Sequence, residues 1–301
     1  KMKITVLGGG GVRSPFLAKS LISNAERVGL TEIVFMDSNE EKLNIYGKIA
    51  EKIAEKINPG IKFWLTSDPV AALKDANFII TTIRVGEDKA RVLDERIALN
   101  NGILGQETTG AGGFAMSLRS IPKILEYCKM IEQYSAEGAM LFNFTNPSGI
   151  VTQAIHLSGF KNVYGICDAP SEFIKQVAKV LEKPLEEVSA ECFGLNHLSW
   201  FRNIKVNGKD AMEELLAKKE LYTETEMKFF DPELVKISGN LLLNEYLYYF
   251  YYRERAEKAI INSEKTRGET ILEINKQMTK ELKEVDIDKD TDKAFEIYMR
   301  N

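Results

Sequence analysis

Short apolar runs alternate with amphipathic segments over about the first 170 residues. The apolar runs are rich in β-branched and aromatic residues, which is typical of buried strands, and they read "KITVLGGGG", "EIVFMD", "IKFWLTSD", "NFIITTI", "AMLFNFTNP" and "NVYGICDAP". Between them apolar residues recur at helical spacing, as in "SPFLAKSLISNAERV" and in "EEKLNIYGKIAEKIAEKI", whose outer face is charged. Strands that alternate with helices predict an α/β fold, with a Rossmann-like doubly wound parallel sheet over residues 1–170.

The pattern changes after residue 170. Helical segments such as "SEFIKQVAKVLE" and "EKTRGETILEINKQMTKELKEV" then surround a possible hairpin, "RNIKVNGKDA", with an Asn-Gly turn. We therefore predict a second domain of mixed α+β structure, residues 171–301. The closing "DKAFEIYMRN" looks helical and has no C-cap glycine, so we expect this domain to be incomplete at its C-terminal end.

Composition limits the classes of function. The chain has 301 residues and a net charge of −4, which argues against nucleic acid as a partner because phosphate binding needs a concentrated basic surface. No run approaches the roughly 18 apolar residues of a membrane span, and the apolar start is too short for a secretory signal. The three cysteines lack CxxC spacing, which argues against a disulfide framework. We expect a cytoplasmic protein without a membrane partner.

A glycine cluster joins the first predicted strand to the first predicted helix. In "VLGGGGVRSP", Gly8 and Gly10 satisfy the first two positions of a dinucleotide fingerprint, whereas Arg13 stands at the third. Asp37 ends the second strand, where an acid binds the ribose hydroxyls of NAD and repels the 2′-phosphate of NADP. NAD is therefore the expected cofactor. The alternatives are a purely structural turn and, for Asp37, a solvated charge at a helix N-terminus.

Arginines and glycines crowd the middle of the chain. Arginine holds phosphate or carboxylate well, but each arginine taken alone also suits a surface ion pair. The charged residues of this segment are Arg84, Arg91, Arg96, Arg119, Glu95 and Glu107. Downstream, "NFTNPSG" places Asn143 and Asn146 at the end of a strand, where open α/β sheets bind ligands.

One cysteine and one histidine form the candidate reactive pair. Cys167 follows a predicted strand in "GICDAP", and His197 lies in "GLNHLSW". These residue types permit a divalent metal site, a cysteine nucleophile with a histidine base, or two ordinary core residues. Residue types alone leave all three open.

Several strings together resemble a known family. "IRVG", "GILGQETTGAGGF", "NFTNPSG", "CDAP", "GLNH" and "EYLYYFY" follow the order found in glycoside hydrolase family 4, the NAD- and metal-dependent 6-phospho-glycosidases, from Lys3 to at least Arg267. Two features of this chain depart from the family pattern. Gly11 stands where the family usually has serine, and the chains of the family are longer than this one by a hundred or more residues. The natural protein is for that reason also expected to continue.

The resemblance implies roles for individual residues. Cys167 and His197 would bind a manganese-like ion, and Gly8, Gly10, Gly11 and Asp37 would bind NAD. The residues expected to contact the phosphorylated sugar are Arg91, Asn146 and Arg267. The residues expected at the reaction centre are Tyr246 as the base, Glu107 as a neighbour that raises its basicity, and Asp168 as the proton donor of some α-specific members.

The implied reaction is unusual for a glycosidase. NAD would oxidise C3 of the sugar, a base would remove the C2 proton, the aglycone would leave by elimination, and water addition and re-reduction would follow. The phenol of free tyrosine has a pKa near about 10, so the base needs the positive charge of the metal. On sequence alone the tyrosine-rich run is equally typical of a packed aromatic helix face.

The expected substrate is a phosphorylated disaccharide or glucoside. We favour a 6-phospho-β-glucosidase that yields glucose 6-phosphate, with a 6-phospho-α-glucosidase as the alternative within the family. An NAD-dependent 2-hydroxy acid dehydrogenase or a non-catalytic NAD-binding regulator would share the fold. We also expect a homodimer or homotetramer.

Overall fold

The structure is a computed structural model that describes residues 2–300, apart from the side chains of residues 244 and 245. The chain divides into two compact units. The first unit comprises Lys1–Ile166 and Ser263–Asn301, and the second comprises Cys167–Asn262. No helix among the described residues is long and apolar enough to cross a membrane.

The first unit contains a parallel sheet of six strands. The strands are β1 (Met2–Leu7), β2 (Leu30–Met36), β3 (Lys62–Thr66), β4 (Phe78–Thr81), β5 (Met140–Asn143) and β6 (Val163–Gly165). Their order across the sheet is β3-β2-β1-β4-β5-β6, and every pair is parallel. This is the doubly wound order, so the Rossmann-like prediction is confirmed. Strand order reverses between β1 and β4, which is where such sheets bind ligands.

The first unit also contains helices that pack on this sheet or on one another. They are α1 (Ser14–Ser23), α2 (Glu40–Lys42), α3 (Lys48–Ile57), α4 (Pro69–Leu73), α5 (Glu87–Asn100), α6 (Gly110–Tyr134), α7 (Ser148–Leu157), α14 (Arg267–Lys283) and α15 (Thr291–Arg300). A π-helical turn, Leu43–Gly47, joins α2 to α3, and a 3₁₀ turn, Glu26–Val28, follows α1. One apolar cluster lies under α1 and α3, and another lies under α6 and α7.

The last two helices belong to the first unit. The sequence-based division placed residues 171–301 in one second domain, whereas residues 263–301 pack with the parallel-sheet unit. Met278 and Leu282 of α14 and Ile297 of α15 are buried against Tyr46 and Ile49. An amphipathic pattern shows that a helix has an apolar stripe but does not say which partner covers it, so this packing could not be read from periodicity.

The second unit is built around an antiparallel sheet. Its strands are β7 (Val188–Leu195), β8 (Leu198–Val206), β9 (Lys209–Asp210) and β10 (Leu241–Leu242), and β8 pairs with the other three. The predicted hairpin is present between β8 and β9, with Asn207 and Gly208 at φ of 48° and 78°. The second unit's helices are α8 (Ala169–Val180), α9 (Met212–Ala217), α10 (Leu221–Glu224), α11 (Pro232–Ser238), α12 (Asn244–Tyr251) and α13 (Arg253–Ile261), and its 3₁₀ turns are Leu185–Glu187 and Glu226–Phe229. The fully buried rings of Phe173 and Phe201 mark its core.

Candidate functional site

The glycine turn joins β1 to α1 and packs tightly against the sheet. The amides of Gly8 and Gly9 both donate to the carbonyl of Met36, at 2.9 and 2.8 Å. Gly8 has a φ of 101°, and a Cβ on Gly9 would lie 2.5 Å from the Cβ of Phe35. Close packing within the protein therefore already requires glycine at these two positions.

Asp37 anchors this turn. Its carboxylate accepts one hydrogen bond from the amide of Gly10 at 2.9 Å and another from the amide of Asn39 at 2.9 Å. The N-cap of α2 is Asn39, whose side chain accepts from the amide of Lys42 at 3.1 Å. Asn39 is therefore the capping residue, and Asp37 lies two residues before it with a half-buried carboxylate that retains lone pairs for a ribose. The ribose contact and the charge at the helix N-terminus both stay predictions for Asp37.

Gly11 is less confined than its neighbours. A Cβ there would meet the carbonyl oxygen of Gly8 at 3.3 Å and the hydroxyl of Ser14 at 3.8 Å. The first helical turn of α1 follows directly, with Pro15 near its start and no side-chain cap. A helix N-terminus after a glycine turn suits an anion such as pyrophosphate. The predicted cofactor residues Gly8, Gly10, Gly11 and Asp37 thus belong to one local structure, and their role stays a prediction.

Glu107 lies between two arginines in the loop that follows α5. Its Oε1 is 2.6 Å from Nη1 of Arg84, and its Oε2 is 2.9 Å from Nη1 of Arg91. Arg91 also donates from Nε to Glu95 at 2.9 Å, and its side chain is only 7% exposed. These groups form a continuous chain of charges inside the first unit.

Glu95 links this chain to the start of α14. Its second carboxylate oxygen accepts from the amide of Gly268 at 2.8 Å, next to the exposed Arg267. Thr266 and Glu269 form a reciprocal capping box at the same helix start. Of the predicted sugar-binding residues, Arg91 therefore pairs with Glu95 directly, and Arg267 precedes the glycine whose amide binds the same carboxylate.

The other two arginines of the segment are structural. Arg119 forms a two-point pair with Asp94, at 3.0 and 2.5 Å, and Arg96 forms one with Glu269, at 2.6 and 2.5 Å. The simple ion-pair interpretation is therefore correct for both.

The two asparagines after β5 differ. Asn143 is fully buried, accepts from the hydroxyl of Thr81 at 2.9 Å and donates to Thr152 at 3.0 Å. It therefore stabilises the end of the strand. Asn146 is only half-buried, which leaves it the better candidate for contact with a ligand.

Cys167 and His197 lie side by side in the second unit. The Sγ of Cys167 is 3.4 Å from Nε2 of His197, and both residues are partly exposed, so they are not ordinary core residues. A tetrahedral metal ion about 2.3 Å from sulfur and about 2.0 Å from nitrogen would separate these atoms by roughly 3.5 Å. The distance also allows a thiol to donate to an imidazole, as in a nucleophile and base pair.

A hairpin turn positions His197. Asn196 and His197 connect β7 to β8, and His197 has a φ of 60°. Residues other than glycine seldom adopt this left-handed region, and strained backbone at a turn is characteristic of functional sites. Among the described residues no group of three or more His, Cys, Asp and Glu side chains could hold a metal. An ion held by Cys167 and His197 would therefore need further ligands other than these described side chains.

Tyr246 and Asp168 are neighbours of this pair. The ring of Tyr246, in α12, has its centroid 5.6 Å from that of His197. Asp168 is exposed just before α8, and its Oδ1 is 3.9 Å from the thiol of Cys167. Four of the predicted residues therefore meet within the second unit. Arg91, Asn146, Glu107 and Arg267 belong to the first unit.

Comparisons with known proteins give the family of this chain. Residues 3–183 match the model of "Family 4 glycosyl hydrolase", and residues 192–299 match that of its C-terminal domain. The chain belongs to glycosyl hydrolase family 4. The resemblance inferred from sequence strings is confirmed.

Relatives in family 4 include enzymes named for both anomers. The chain is 35% identical to the 6-phospho-beta-glucosidase of Escherichia coli, over 95% of this chain and 65% of that protein. It superposes with a TM-score of 0.84 and 31% identity on the 6-phospho-beta glucosidase of Thermotoga maritima, solved with manganese, NAD+ and glucose-6-phosphate, over 94% of this chain and 67% of that one. A 6-phospho-alpha-glucosidase from gut microorganisms, solved with NAD and Mn2+, gives a TM-score of 0.82 at 27% identity, over 95% and 69%. The chain spans 65% of the length of two of the curated family 4 relatives it matches, those of Bacillus subtilis and Escherichia coli.

Sequence reasoning missed the part played by Glu95 in this family 4 chain. Arg91 and Glu95 stand four residues apart on α5, a spacing that predicts an ion pair on a helix. That signal was available, but it could not show that the pair is buried and extends to Gly268. The capping box at Thr266 had a clearer signal, because the string "TRGE" has the spacing of that motif.

Proposed function

We propose that this chain carries the catalytic residues of an NAD- and divalent-metal-dependent 6-phospho-β-glucosidase. The observation that carries this proposal is the pair Cys167 and His197, whose Sγ and Nε2 atoms lie 3.4 Å apart beside the ring of Tyr246. The proposed reaction converts a 6-phospho-β-glucoside to glucose 6-phosphate and an aglycone. It takes place in the cytoplasm, and the enzyme is a homodimer or homotetramer.

The donor atoms suit the proposed cofactors. A thiolate and a neutral imidazole favour a soft or borderline divalent ion, and the relatives point to manganese as that ion. The glycine turn, the start of α1 and Asp37 suit the pyrophosphate and ribose of NAD. When bound, NAD supplies reversible oxidation of the sugar carbon C3, and the metal supplies Lewis-acid polarisation of the sugar oxygens.

The side chains of the protein perform the remaining work. Cys167 and His197 would hold the ion through Sγ and Nε2. Tyr246 removes the proton from C2, and its ring centroid lies 5.6 Å from that of His197, so a cation held by His197 would favour the deprotonated phenol. Proton return at C2 from solvent completes the exchange at that carbon.

The phosphate of the substrate requires cationic and amide donors. Arg267 is exposed and Asn146 is half-buried, so both side chains can reach a ligand. Arg91 is buried and already pairs with Glu95 and Glu107, so we assign it the supporting role of keeping the charge near the phosphate site fixed. Glu107 holds Arg84 and Arg91 in position, and its effect on the base stays part of the proposal.

A reaction in deuterated water tests the mechanism. A 6-phospho-β-glucoside, NAD and Mn²⁺ are incubated with the protein, and the glucose 6-phosphate is examined by mass spectrometry and NMR. We expect deuterium at C2 and no net formation of NADH. Product that carries only hydrogen at C2 would overturn the mechanism, and stoichiometric NADH would indicate a dehydrogenase instead.

Substitution of Tyr246 tests the base. Tyr246→Phe should slow turnover by about 100-fold or more, the scale for loss of a general base, with substrate binding little changed. Tyr251→Phe is the matched control, because the Tyr251 hydroxyl accepts a hydrogen bond from the Trp200 indole at 3.4 Å, within the same unit. Equal rates for the two variants would contradict the role of Tyr246.

Binding measurements test the metal pair without relying on turnover. Mn²⁺ should bind the wild-type protein in an electron paramagnetic resonance titration and should fail to bind Cys167→Ser or His197→Ala, while circular dichroism stays unchanged. Cys192→Ser, at an exposed position on β7, is the control and should bind Mn²⁺ normally. Full activity of Cys167→Ser in metal-free buffer would refute the metal site, and a trapped thiol-linked sugar would favour the nucleophile alternative.

An α-specific enzyme is the second candidate. Asp168 favours it, because its exposed carboxyl group accepts from the Cys167 thiol at 3.9 Å and in its protonated form would donate a proton to a leaving group. Parallel assays with 6-phospho-α- and 6-phospho-β-glucosides decide between the anomers. A strong decrease for Asp168→Asn on the α substrate alone would support the second candidate.

A further inference from the structure

Glu87 forms an unusual bridge within the first unit. It begins α5 with a φ of 56°, directly after Gly86 at 85°. Its Oε1 accepts from Nδ2 of Asn39 at 3.0 Å and lies 3.0 Å from Nζ of Lys42. A non-glycine residue in the left-handed region is unfavourable, so this backbone persists only because surrounding contacts hold it there.

The bridge reaches the loop that carries Asp37. The amide of Asn39 donates to Asp37, and Asn39 caps the helix turn that contains Lys42. Glu87 comes from the loop after β4, whereas Asp37 and Asn39 follow β2, and β1 lies between these two strands in the sheet. The bridge therefore joins the two strand ends on either side of the strand that leads into the glycine turn.

NAD and NADP differ in charge at the ribose 2′ position. NADP carries a 2′-phosphate where NAD carries a hydroxyl, and its binding depends on a nearby cation. Lys42 is the cation of this loop, and the bond to Lys42 is the main cause that lowers the pKa of Glu87. Neighbouring acids have other partners, since Glu40 accepts from Ser67 and Glu41 pairs with Lys283.

Resting on the proposed NAD-dependent function, we propose that Glu87 is a specificity residue of the dinucleotide site: it holds Lys42 and so denies the 2′-phosphate of NADP the cation that it needs. Discrimination then has two parts. Asp37 accepts from the ribose of NAD, and Glu87 neutralises the charge that would favour the competitor. Specificity built partly by withholding an attractive group is a form of selection against the wrong ligand.

Calorimetric titration with NAD and with NADP tests the proposal independently of turnover. Glu87→Gln keeps the size of the side chain and an oxygen that can accept from Asn39, but removes the negative charge that neutralises Lys42. We expect the affinity for NADP to rise by about three- to tenfold while that for NAD changes less than about twofold, since a single released charge acts a few ångströms away in a partly solvated site. The gain should shrink as salt is raised.

Two further variants make the test specific. Lys42→Gln added to Glu87→Gln should abolish the gain, and Lys42→Gln alone should leave NADP binding nearly unchanged because the lysine is already neutralised. Glu126→Gln, which releases Lys123 from a comparable exposed pair on α6, is the matched control.

Each outcome has a separate meaning. Normal NAD binding with an unchanged NADP affinity in Glu87→Gln would overturn the role of Glu87 but leave the proposed function standing. A gain that survives the loss of Lys42 would also overturn it. Binding of neither dinucleotide by the wild-type protein would overturn both proposals.

Discussion

Removal of the charge on Glu95 should destabilise the first unit strongly. The residue is 1% exposed, pairs with Nε of Arg91 at 2.9 Å and accepts from the amide of Gly268 at 2.8 Å. In Glu95→Gln one side-chain oxygen remains, so it can satisfy Arg91 or Gly268 but not both. Breaking a buried ion pair by removing one partner lowers the free energy of unfolding by about 3 to 5 kcal/mol. Leaving a buried N–H without an acceptor lowers it by about 1 to 3 kcal/mol. Since Glu107 still neutralises part of the Arg91 charge, we expect about 3 kcal/mol.

The two tryptophans of the chain allow this loss to be measured in the unit that contains Glu95. Trp64 lies in β3 of the first unit and Trp200 lies in β8 of the second, so fluorescence in a Trp200→Phe background reports on the first unit. Urea titrations would compare that background with and without Glu95→Gln. Glu273→Gln is the control, because its pair with Lys265 is more than half exposed on the Glu273 side and should be worth under about 1 kcal/mol. If Glu95→Gln lowers the midpoint no more than the control does, the inference that this carboxylate organises the charge chain is wrong.

Three more outcomes are expected. Gly9→Ala should cost about 1 to 3 kcal/mol because its Cβ would lie 2.5 Å from a β2 side chain, whereas Gly11→Ala should change stability by less than about 1 kcal/mol; urea midpoints for the pair check this. The hydrogen bond from Arg96 lowers the pKa of the Glu269 carboxyl below its ordinary value of 4.5. The stability that this pair contributes is therefore present above pH 4.5 and is lost as the pH falls towards the lowered pKa. Glu269→Gln should make the free energy of unfolding less dependent on pH in that acidic range. Burial raises the pKa of the Cys128 thiol to about 12, so at pH 8 it should react with a thiol reagent only after unfolding, while the exposed Cys192 reacts at once.

The parallel sheet could be predicted because its central strands β1, β2 and β4 are mostly buried. Such strands appear as continuous apolar runs, and "NFIITTI" contains the buried Ile79 and Ile80 of β4. The position of α14 and α15 could not be predicted in the same way. Their stripes match Tyr46 and Ile49, more than two hundred residues earlier in the chain, and a hydrophobic period carries no information about so distant a partner.

The charged segment after β4 shows a second limit. Its arginines and acids could be found in the sequence, but their partners are decided by burial and by contacts across the unit. Arg91 and Arg119 are the same residue type in the same charged segment, and the sequence does not distinguish them. In the structure Arg91 is buried and pairs with two carboxylates, whereas Arg119 forms a two-point pair with Asp94. Arginines in one segment therefore have different roles according to how deeply they are buried, and their spacing in the sequence does not predict burial.

Choice of the base illustrates what the three-dimensional arrangement adds to the family resemblance. The run "YLYYFYY" holds five tyrosines, and the sequence gives no physical reason to prefer one of them. In the structure Tyr248, Tyr251 and Tyr252 pack against the hydrophobic core of the second unit, and the hydroxyl of Tyr252 accepts from the amide of Asp231 at 2.7 Å. Tyr246 instead has its ring 5.6 Å from that of His197. The helical period turns three of the five tyrosines into the core and leaves Tyr246 and Tyr249, whose rings stack with centroids 6.1 Å apart. Tyr246 is the one whose ring lies beside that of His197, so under the proposed function its loss should remove proton transfer without loosening the fold.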